Sequence, residues 1–212
     1  MREENKRKIK YALFVPSLFL ITIWIIKIIE YTFEISFVQY GILPKKLSGI
    51  KGIFFAAFIH KDFNHLLNNS YPVLVLGAML FSFYKEIAMK ILIYLFFMSG
   101  VLLWVIGRPS FHIGASGIIY SLATFLFVSG VIRKNTSLSA ISLLVVFLYG
   151  SMIWGVLPIK KFVSWEGHLS GLIVGFIIAL LFRKKGPKQK KYDWEIEEEY
   201  EKTTINYQID NK

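Results

Sequence analysis

Residues 112–132 read HIGASGIIYSLATFLFVSGVI. No charged residue occurs in this stretch, and as a helix it is long enough to cross about 30 Å of hydrocarbon. It opens with His112 and Ser116, and Gly114 and Gly117 flank the serine. Polar side chains are costly within a membrane and tend to mark function, so the stretch predicts a membrane span that opens on a candidate site.

Similar apolar runs recur along the chain and predict an all-α polytopic membrane protein with six transmembrane helices. Of the 212 residues, 55% are hydrophobic and only 18% are charged, against about 25% charged in soluble domains. A soluble globular domain, a coiled coil and a disordered chain are therefore excluded. The predicted spans are Tyr11–Ile29, Leu66–Tyr84, Ile87–Gly107, Ile113–Ile132, Leu138–Leu157 and Phe162–Phe182.

The distribution of basic residues predicts that both termini are cytoplasmic. With that orientation the inside segments hold 15 Lys and Arg residues and the outside segments hold 7, which is the usual bias. The predicted parts are a cytoplasmic N-terminus (1–10), a six-span membrane domain (11–182) with a long outside loop (30–63), and a cytoplasmic tail (183–212) that is first basic and then acidic. The first run is too long for a signal peptide and is interpreted as a retained span.

The net charge of +11 does not indicate nucleic-acid binding, because the basic residues cluster at the ends of the apolar runs. The chain has no cysteine, which excludes disulfides, thiol catalysis and Cys-ligated metal sites.

Three polar clusters open the second, fourth and sixth predicted spans, and together they hold all four histidines. In the predicted topology these three spans run from outside to inside, so their first turns lie at the same depth in the outer leaflet. Polar residues that are merely tolerated would not be expected to converge on one layer, which makes the three clusters together a candidate site.

Ser116 and His168 form the candidate catalytic pair. A helix N-terminus offers N–H groups and a positive dipole end to a developing oxyanion, and the serine hydroxyl needs a base. Gly171 and Gly175 share a helical face with His168 and favour close packing of span six on span four. Tyr120, four residues after Ser116, is placed to stack on the imidazole. Taken singly, the Gly-x-Ser-Gly run is equally typical of helix packing, and a lone His168 followed by glycines is more often an interfacial histidine.

His65 and Asn69 lie four residues apart on one face of span two and, with the Ser116 N–H, are the candidate oxyanion hole. Asn68 and Asn69 are also typical of caps of the second span. His60 is interpreted as structural, and His112 as an interfacial residue without chemistry. Glu166 is two residues from His168 and is expected to point elsewhere, which favours a dyad over a triad.

Two other classes of protein share some of these features. A small transporter or channel would also carry intramembrane polar residues, but it would place them near the midplane with repeats or broken helices. A non-catalytic binder of membrane proteins is the second alternative, and reaction of Ser116 with a serine-directed probe would discriminate against both.

The combined motifs resemble the rhomboid intramembrane serine proteases over about residues 50–182. The matching pattern is His60-x4-His65-x3-Asn69, then Gly114-x-Ser116-Gly117-x-x-Tyr120, then Gly167-His168-x-x-Gly171-x-x-x-Gly175. The resemblance implies Ser116 as nucleophile, His168 as general base, and Asn69, His65 and the Ser116 amide as oxyanion hole. It also implies that His60 stabilises the outside loop and that Tyr120 stacks on His168.

The same resemblance implies substrates among transmembrane or near-membrane segments of other proteins in the lipid bilayer, with no metal, cofactor or nucleic acid. We expect a multi-pass protein of a bacterial plasma membrane with its active site facing the outer side. One departure is that Lys51-Gly52 stands where many members carry a Trp-Arg pair in the first outside loop. The membrane contact of that loop is therefore expected to differ.

Overall fold

The computed structural model describes residues 3–149, 155–158 and 163–186, together with Glu197, Tyr200 and Glu201. Within these residues the chain is helical and forms no strand beyond one isolated bridge. This confirms the all-α prediction. The helices are α1 (Glu3–Thr32), α2 (Gly52–Phe55), α3 (Phe63–Phe83), α4 (Ala88–Ile106), α5 (Ser116–Arg133), α6 (Thr136–Tyr149) and α7 (Trp165–Leu181), and three short 3₁₀ turns lie between α1 and α3.

Four helices, α1, α3, α4 and α5, are long and apolar enough to cross a membrane. The apolar helices α6 and α7 are shorter, with 14 and 17 residues in the part of the chain that the structure describes. Part of the fifth predicted span (residues 150–154), the first residue of the sixth and most of the tail lie outside the described residues. The count of six spans and the orientation of the termini therefore stay predictions.

Helix α1 is longer than the first predicted span at both ends. It begins within the predicted N-terminal segment and continues to Thr32, inside the predicted loop 30–63. Exposed ion pairs, Lys6 with Glu3 and Lys8 with Glu4, stand three and four residues apart on its first turns. Such pairs stabilise a helix in water, which explains why α1 begins before its apolar part.

Helix α5 lies at the centre of the bundle and packs on α3, α4, α6 and α7. The core between these helices contains fully buried Leu76, Leu80, Ile91, Leu95 and Phe125. With such packing around it, α5 has little freedom to move.

The N-termini of α3, α5 and α7 differ in how they are capped. Asp62 accepts a hydrogen bond from the His65 N–H at 2.7 Å and caps α3, and Ser164 accepts from the Gly167 N–H at 3.3 Å and caps α7. Ala115 stands at the cap position of α5 without a side-chain bond. The N–H groups of the first turn of α5 therefore have no side-chain cap.

Candidate active site

A cavity of about 820 Å³ lies where the N-terminal ends of α3, α5 and α7 meet. Five residues predicted for the site line it: His65, Asn69, Ser116, Tyr120 and His168. The other predicted residues stand behind this layer, and Gly114 and Gly117 line a second cavity of about 40 Å³ that Ser116 also borders.

Ser116 is the first residue of α5 and is partly buried. Its backbone N–H belongs to the first helical turn, whose donors have no acceptor within the helix. Ser116 thus combines a hydroxyl on the cavity wall with an N–H at a helix N-terminus, where negative charge is favoured.

The imidazole of His168 is held from two sides. Its ring lies parallel to that of Tyr120, with centroids 4.2 Å apart and planes 8° apart. Its Nδ1 lies 2.8 Å from the carbonyl oxygen of Gly155. Because a carbonyl only accepts, Nδ1 carries the proton and Nε2 keeps its lone pair. The ring is therefore fixed in the tautomer that a general base needs.

Glycines allow α7 to approach α5 at backbone distance. A Cβ atom on Gly171 would overlap the carbonyl oxygen of Gly117, and one on Gly175 would overlap that of Ser121. These positions therefore exclude any side chain unless the helices separate. This contact of Gly171 and Gly175 in α7 with Gly117 and Ser121 in α5 is here named the glycine seam. It follows Ser116 and His168 along the two helices and fixes these helices against each other.

Asn69 and His65 occupy the cavity wall that α3 contributes. Asn69 is buried, and its side-chain Nδ2 donates to the backbone oxygen of His65 at 2.8 Å. A primary amide has two N–H bonds, so a second donor remains. The cap bond from the His65 N–H to Asp62 fixes where this helix begins and hence the depth of both side chains.

His60 is 1% exposed and lies outside the spans, between the outside loop and α5. Its Nε2 accepts the N–H of Ala115 at 3.5 Å, and its ring packs edge-on against His65 with centroids 5.1 Å apart. Burial, followed by repulsion from His65, lowers the pKa of His60 to about 3. His60 is therefore neutral at physiological pH.

Gly114 precedes the uncapped end of α5 in a backbone conformation that side chains rarely adopt, with φ of +105°. A Cβ atom there would lie 2.7 Å from Cε1 of His65. Both the conformation and the close contact require glycine. Its N–H donates to the Ala56 oxygen at 2.8 Å, which ties the segment to the outside loop.

Several residues that support the site were not predicted from the sequence. Gly155 was not singled out, and His112, expected to lack a role, is buried and bonds to Ser164 with Nδ1 and Oγ 2.6 Å apart. Burial lowers the pKa of His112, which lies between spans. Lys27, which is partly buried, forms an ion pair with the buried Glu30 in α1, and it donates to the backbone oxygens of His60 and Lys61 at 3.0 Å each. The position of Lys27 inside a predicted span was a usable signal.

A metal site requires several His, Cys, Asp or Glu side chains close together as ligands. In the part of the chain that the structure describes, no group of three or more is placed to hold a metal ion.

A Rhomboid domain matches residues 48–185, which is more than half of the chain. The chain belongs to the rhomboid family. This confirms the resemblance drawn from the motifs. The rhomboid domain and four long apolar helices indicate a multi-pass integral membrane protein.

Similar proteins occur in mycobacteria. This rhomboid is 35% identical over 160 residues to "Uncharacterized protein Rv1337" of Mycobacterium tuberculosis, a match that covers 71% of this chain and 65% of that protein. It is 32% identical over 184 residues to "Uncharacterized protein ML1171" of Mycobacterium leprae, covering 81% and 71%. These relatives suggest a bacterial origin. The matched region thus spans slightly less than two thirds of the first of these proteins.

A more distant relative carries the family name. "Putative rhomboid protein L523" of Acanthamoeba polyphaga mimivirus is 27% identical over 135 residues, which covers 59% of this rhomboid and 71% of the viral protein.

Proposed function

We propose that this rhomboid is an intramembrane serine endopeptidase that cleaves transmembrane or near-membrane segments of other membrane proteins through a Ser116–His168 dyad. One observation carries the proposal. The imidazole of His168, stacked on Tyr120 and bonded through Nδ1 to Gly155, shares a cavity of about 820 Å³ with Ser116. A serine at a helix N-terminus opposite an oriented imidazole is the arrangement that acyl transfer requires.

In the first step His168 Nε2 takes the proton of the Ser116 hydroxyl while Oγ attacks the scissile carbonyl carbon. The imidazolium that forms keeps its Nδ1–H bond to the Gly155 oxygen. That carbonyl occupies the place of the carboxylate in a triad, since it orients the ring and stabilises the positive charge. A carbonyl dipole is weaker than a full negative charge, but it costs less to bury.

The tetrahedral oxyanion receives hydrogen bonds from the Ser116 N–H, from the second N–H of Asn69 and from His65. The first is a helix N-terminal donor without a side-chain cap, and the other two side chains line the same cavity. Donors fixed in place before the reaction stabilise the transition state without reorganisation, and one such donor contributes about 10²–10³-fold to the rate.

Collapse of the intermediate breaks the peptide C–N bond, and His168 returns the proton to the leaving amine. Water then attacks the acyl ester of Ser116, with His168 again accepting a proton, and the second product leaves as a carboxylic acid. Basic Lys61 and Arg108, and polar Asn68, Ser110 and Ser164, are among the residues that line the cavity. They favour entry of the water that the second step consumes.

The predicted supporting roles complete the proposal. His60 braces the outside loop against α5, Gly114 and Gly117 admit close neighbours at Ser116, and Gly171 and Gly175 keep α7 against α5. We propose six spans with both termini in the cytoplasm, the domain limits given above, and an active site that opens to the outer side of a bacterial plasma membrane.

The proposal is tested by incubating the purified protein with a generic transmembrane substrate in liposomes. The native chain is compared with Ser116→Ala and His168→Ala, and Thr22→Ala serves as a control, since the Thr22 hydroxyl donates to the Leu18 oxygen within α1. We expect the native chain and the control to cut, and both dyad variants to lose at least about 10³-fold in rate.

Equal cleavage by all four proteins would identify a contaminant. A native chain that neither cuts nor reacts with a fluorophosphonate would contradict the proposed function.

A further inference from the structure

Glu166 carries a buried carboxylate that the proposed reaction does not use. It is 3% exposed, and its Oε1 lies 3.5 Å from Nε of Arg108, in the loop before α5. Among the described residues none donates a hydrogen bond to its Oε2. A buried carboxylate with so few partners is costly, which calls for an explanation other than stability.

The same loop is joined to the start of α7 by further bonds. Nη2 of Arg108 donates to the Val163 backbone oxygen at 2.8 Å. The Ser164 hydroxyl, which caps α7, lies 2.6 Å from Nδ1 of His112. The other ring nitrogen of His112 donates to the Arg108 oxygen at 3.1 Å, so Nδ1 accepts from Ser164. Arg108, His112, Ser164 and Glu166 thus form one connected unit, here named the clasp.

The clasp joins the two chain segments that carry the proposed dyad. Arg108 and His112 stand eight and four residues before Ser116, and Ser164 and Glu166 stand four and two residues before His168. The glycine seam fixes α5 and α7 below the dyad, and the clasp fixes the same two segments above it. Catalytic groups must meet within a few tenths of an ångström, so both ends of the seam matter.

We propose that Glu166 is a positioning residue and that the clasp sets the separation of Ser116 and His168. The inference rests on the proposed function. Three members of the clasp line the cavity, namely Arg108, His112 and Ser164, whereas Glu166 is not among the residues that line either cavity described above. Glu166 therefore acts through the position of α7 and not through contact with substrate.

The kinetic test compares Glu166→Gln with the native chain on the liposome substrate. Glutamine keeps the shape of the side chain and removes its charge, so Arg108 loses its ionic partner. We expect kcat to fall about tenfold, because the dyad is displaced, and KM to stay within about twofold. Glu4→Gln is the matched control, since it removes a carboxylate from an exposed ion pair in α1.

Should Glu166→Gln fail to accumulate, the double variant Arg108→Gln with Glu166→Gln replaces it, because no buried charge is then left without its partner. An unchanged kcat in the variant that accumulates would overturn the proposal, even if its melting temperature falls. A higher KM at constant kcat would overturn it too.

A structural arm separates failure of this inference from failure of the proposed function. The chain has no cysteine, so cysteines introduced at Phe111 and Trp165 are the only thiols for spin labels. We expect the distance distribution between the labels to broaden or shift in Glu166→Gln and to stay as in the native chain in Glu4→Gln. An unchanged distribution in Glu166→Gln would overturn the clasp. Absence of proteolysis in the native chain, with a broadened distribution in the variant, would count against the protease alone.

Discussion

The contact of α7 with α5 and the contact of α1 with α3 are built on opposite principles. Between α7 and α5, backbone meets backbone, with Gly171 against Gly117. Between α1 and α3, side chains mediate the contact, as in the bond of 3.0 Å from Trp24 to Ser70. Half of the apolar window of α5 is buried, against 17% of that of α1.

This difference shows where the molecule needs fixed geometry. Backbone-to-backbone contact leaves a single separation, because any added atom collides. Side-chain contacts can be remade after a small shift of the helix, and α1 has exposed surface on most of its length. We therefore expect changes at the α5–α7 seam to affect catalysis first, and changes at the α1–α3 contact to affect mainly stability.

The largest effect is expected from a methyl group added at the contact of α7 with α5, and the same change at the contact of α1 with α3 serves as its comparison. Gly171→Ala puts a Cβ against the Gly117 oxygen and 3.0 Å from Cβ of Tyr120, so the helices must separate. We expect the rate of cleavage to fall about 10²-fold. In Gly77→Ala the new Cβ lies 2.6 Å from Cγ of Pro16, on the peripheral α1, which can move away.

For Gly77→Ala we expect a loss of about 1–3 kcal/mol in the free energy of unfolding and a rate within a few-fold of native. Cleavage rates and melting temperatures of both variants are measured in the same liposomes or detergent. If Gly77→Ala loses as much activity as Gly171→Ala at equal folded content, the two helix contacts do not differ in their effect on catalysis.

A smaller effect is expected from pH at His60, whose backbone oxygen accepts a hydrogen bond from Lys27 of α1. The buried His60 has a pKa of about 3 when folded, against about 6.5 for a free histidine. Between these values only the unfolded chain binds the proton, so the free energy of unfolding decreases as pH falls from about 6.5 towards 3. The slope from this group is at most about 1.4 kcal/mol per pH unit.

Melting temperatures of the native chain and of His60→Gln between pH 7.5 and 4.5 measure this contribution. The native chain is expected to lose more stability than the variant over that range. Parallel pH curves for the two proteins would show that His60 does not carry the effect.

The smallest effect is expected from Trp24→Phe, which removes the donor to Ser70 and keeps an aromatic ring against Phe63. The Ser70 hydroxyl still donates to the Leu66 oxygen at 2.8 Å, so no buried donor is left unpaired. We expect a loss of about 0.6 kcal/mol in stability and no change in cleavage rate. A rate as low as that of Gly171→Ala would show that α1 also fixes the dyad.

Much of the fold was predictable because it depends on local sequence. Apolar runs of about 20 residues mark helices that cross hydrocarbon, and the described α3, α4 and α5 lie within a few residues of the predicted second, third and fourth spans. Helix boundaries shifted where a polar residue caps the helix, as with Asp62 before α3, because a cap extends a helix beyond its apolar part.

The residues proposed for the dyad carry a sequence signal, since a glycine spacing of four and a serine between glycines are both local patterns. Tyr120 carries such a signal too, through its spacing of four residues from Ser116, but the more distant partners do not. The bond from His168 to Gly155 depends on the path of the chain before α7, and Arg108 and Glu166 are 58 residues apart. Pairing between distant loops follows from the packed bundle, and the sequence shows only the charges.

The isolated bridge between Ile42 and His112 has a mechanical consequence. Two backbone hydrogen bonds of 2.9 and 3.0 Å fasten the loop after α1 to the segment that leads into Ser116. Through His112 the same attachment reaches Ser164 and the start of α7. This side of the cavity is therefore held as one rigid unit, and a substrate that displaced it would also displace the proposed nucleophile and the proposed base. We accordingly expect a substrate helix to enter the cavity from another side, where a segment can move without displacing Ser116 and His168.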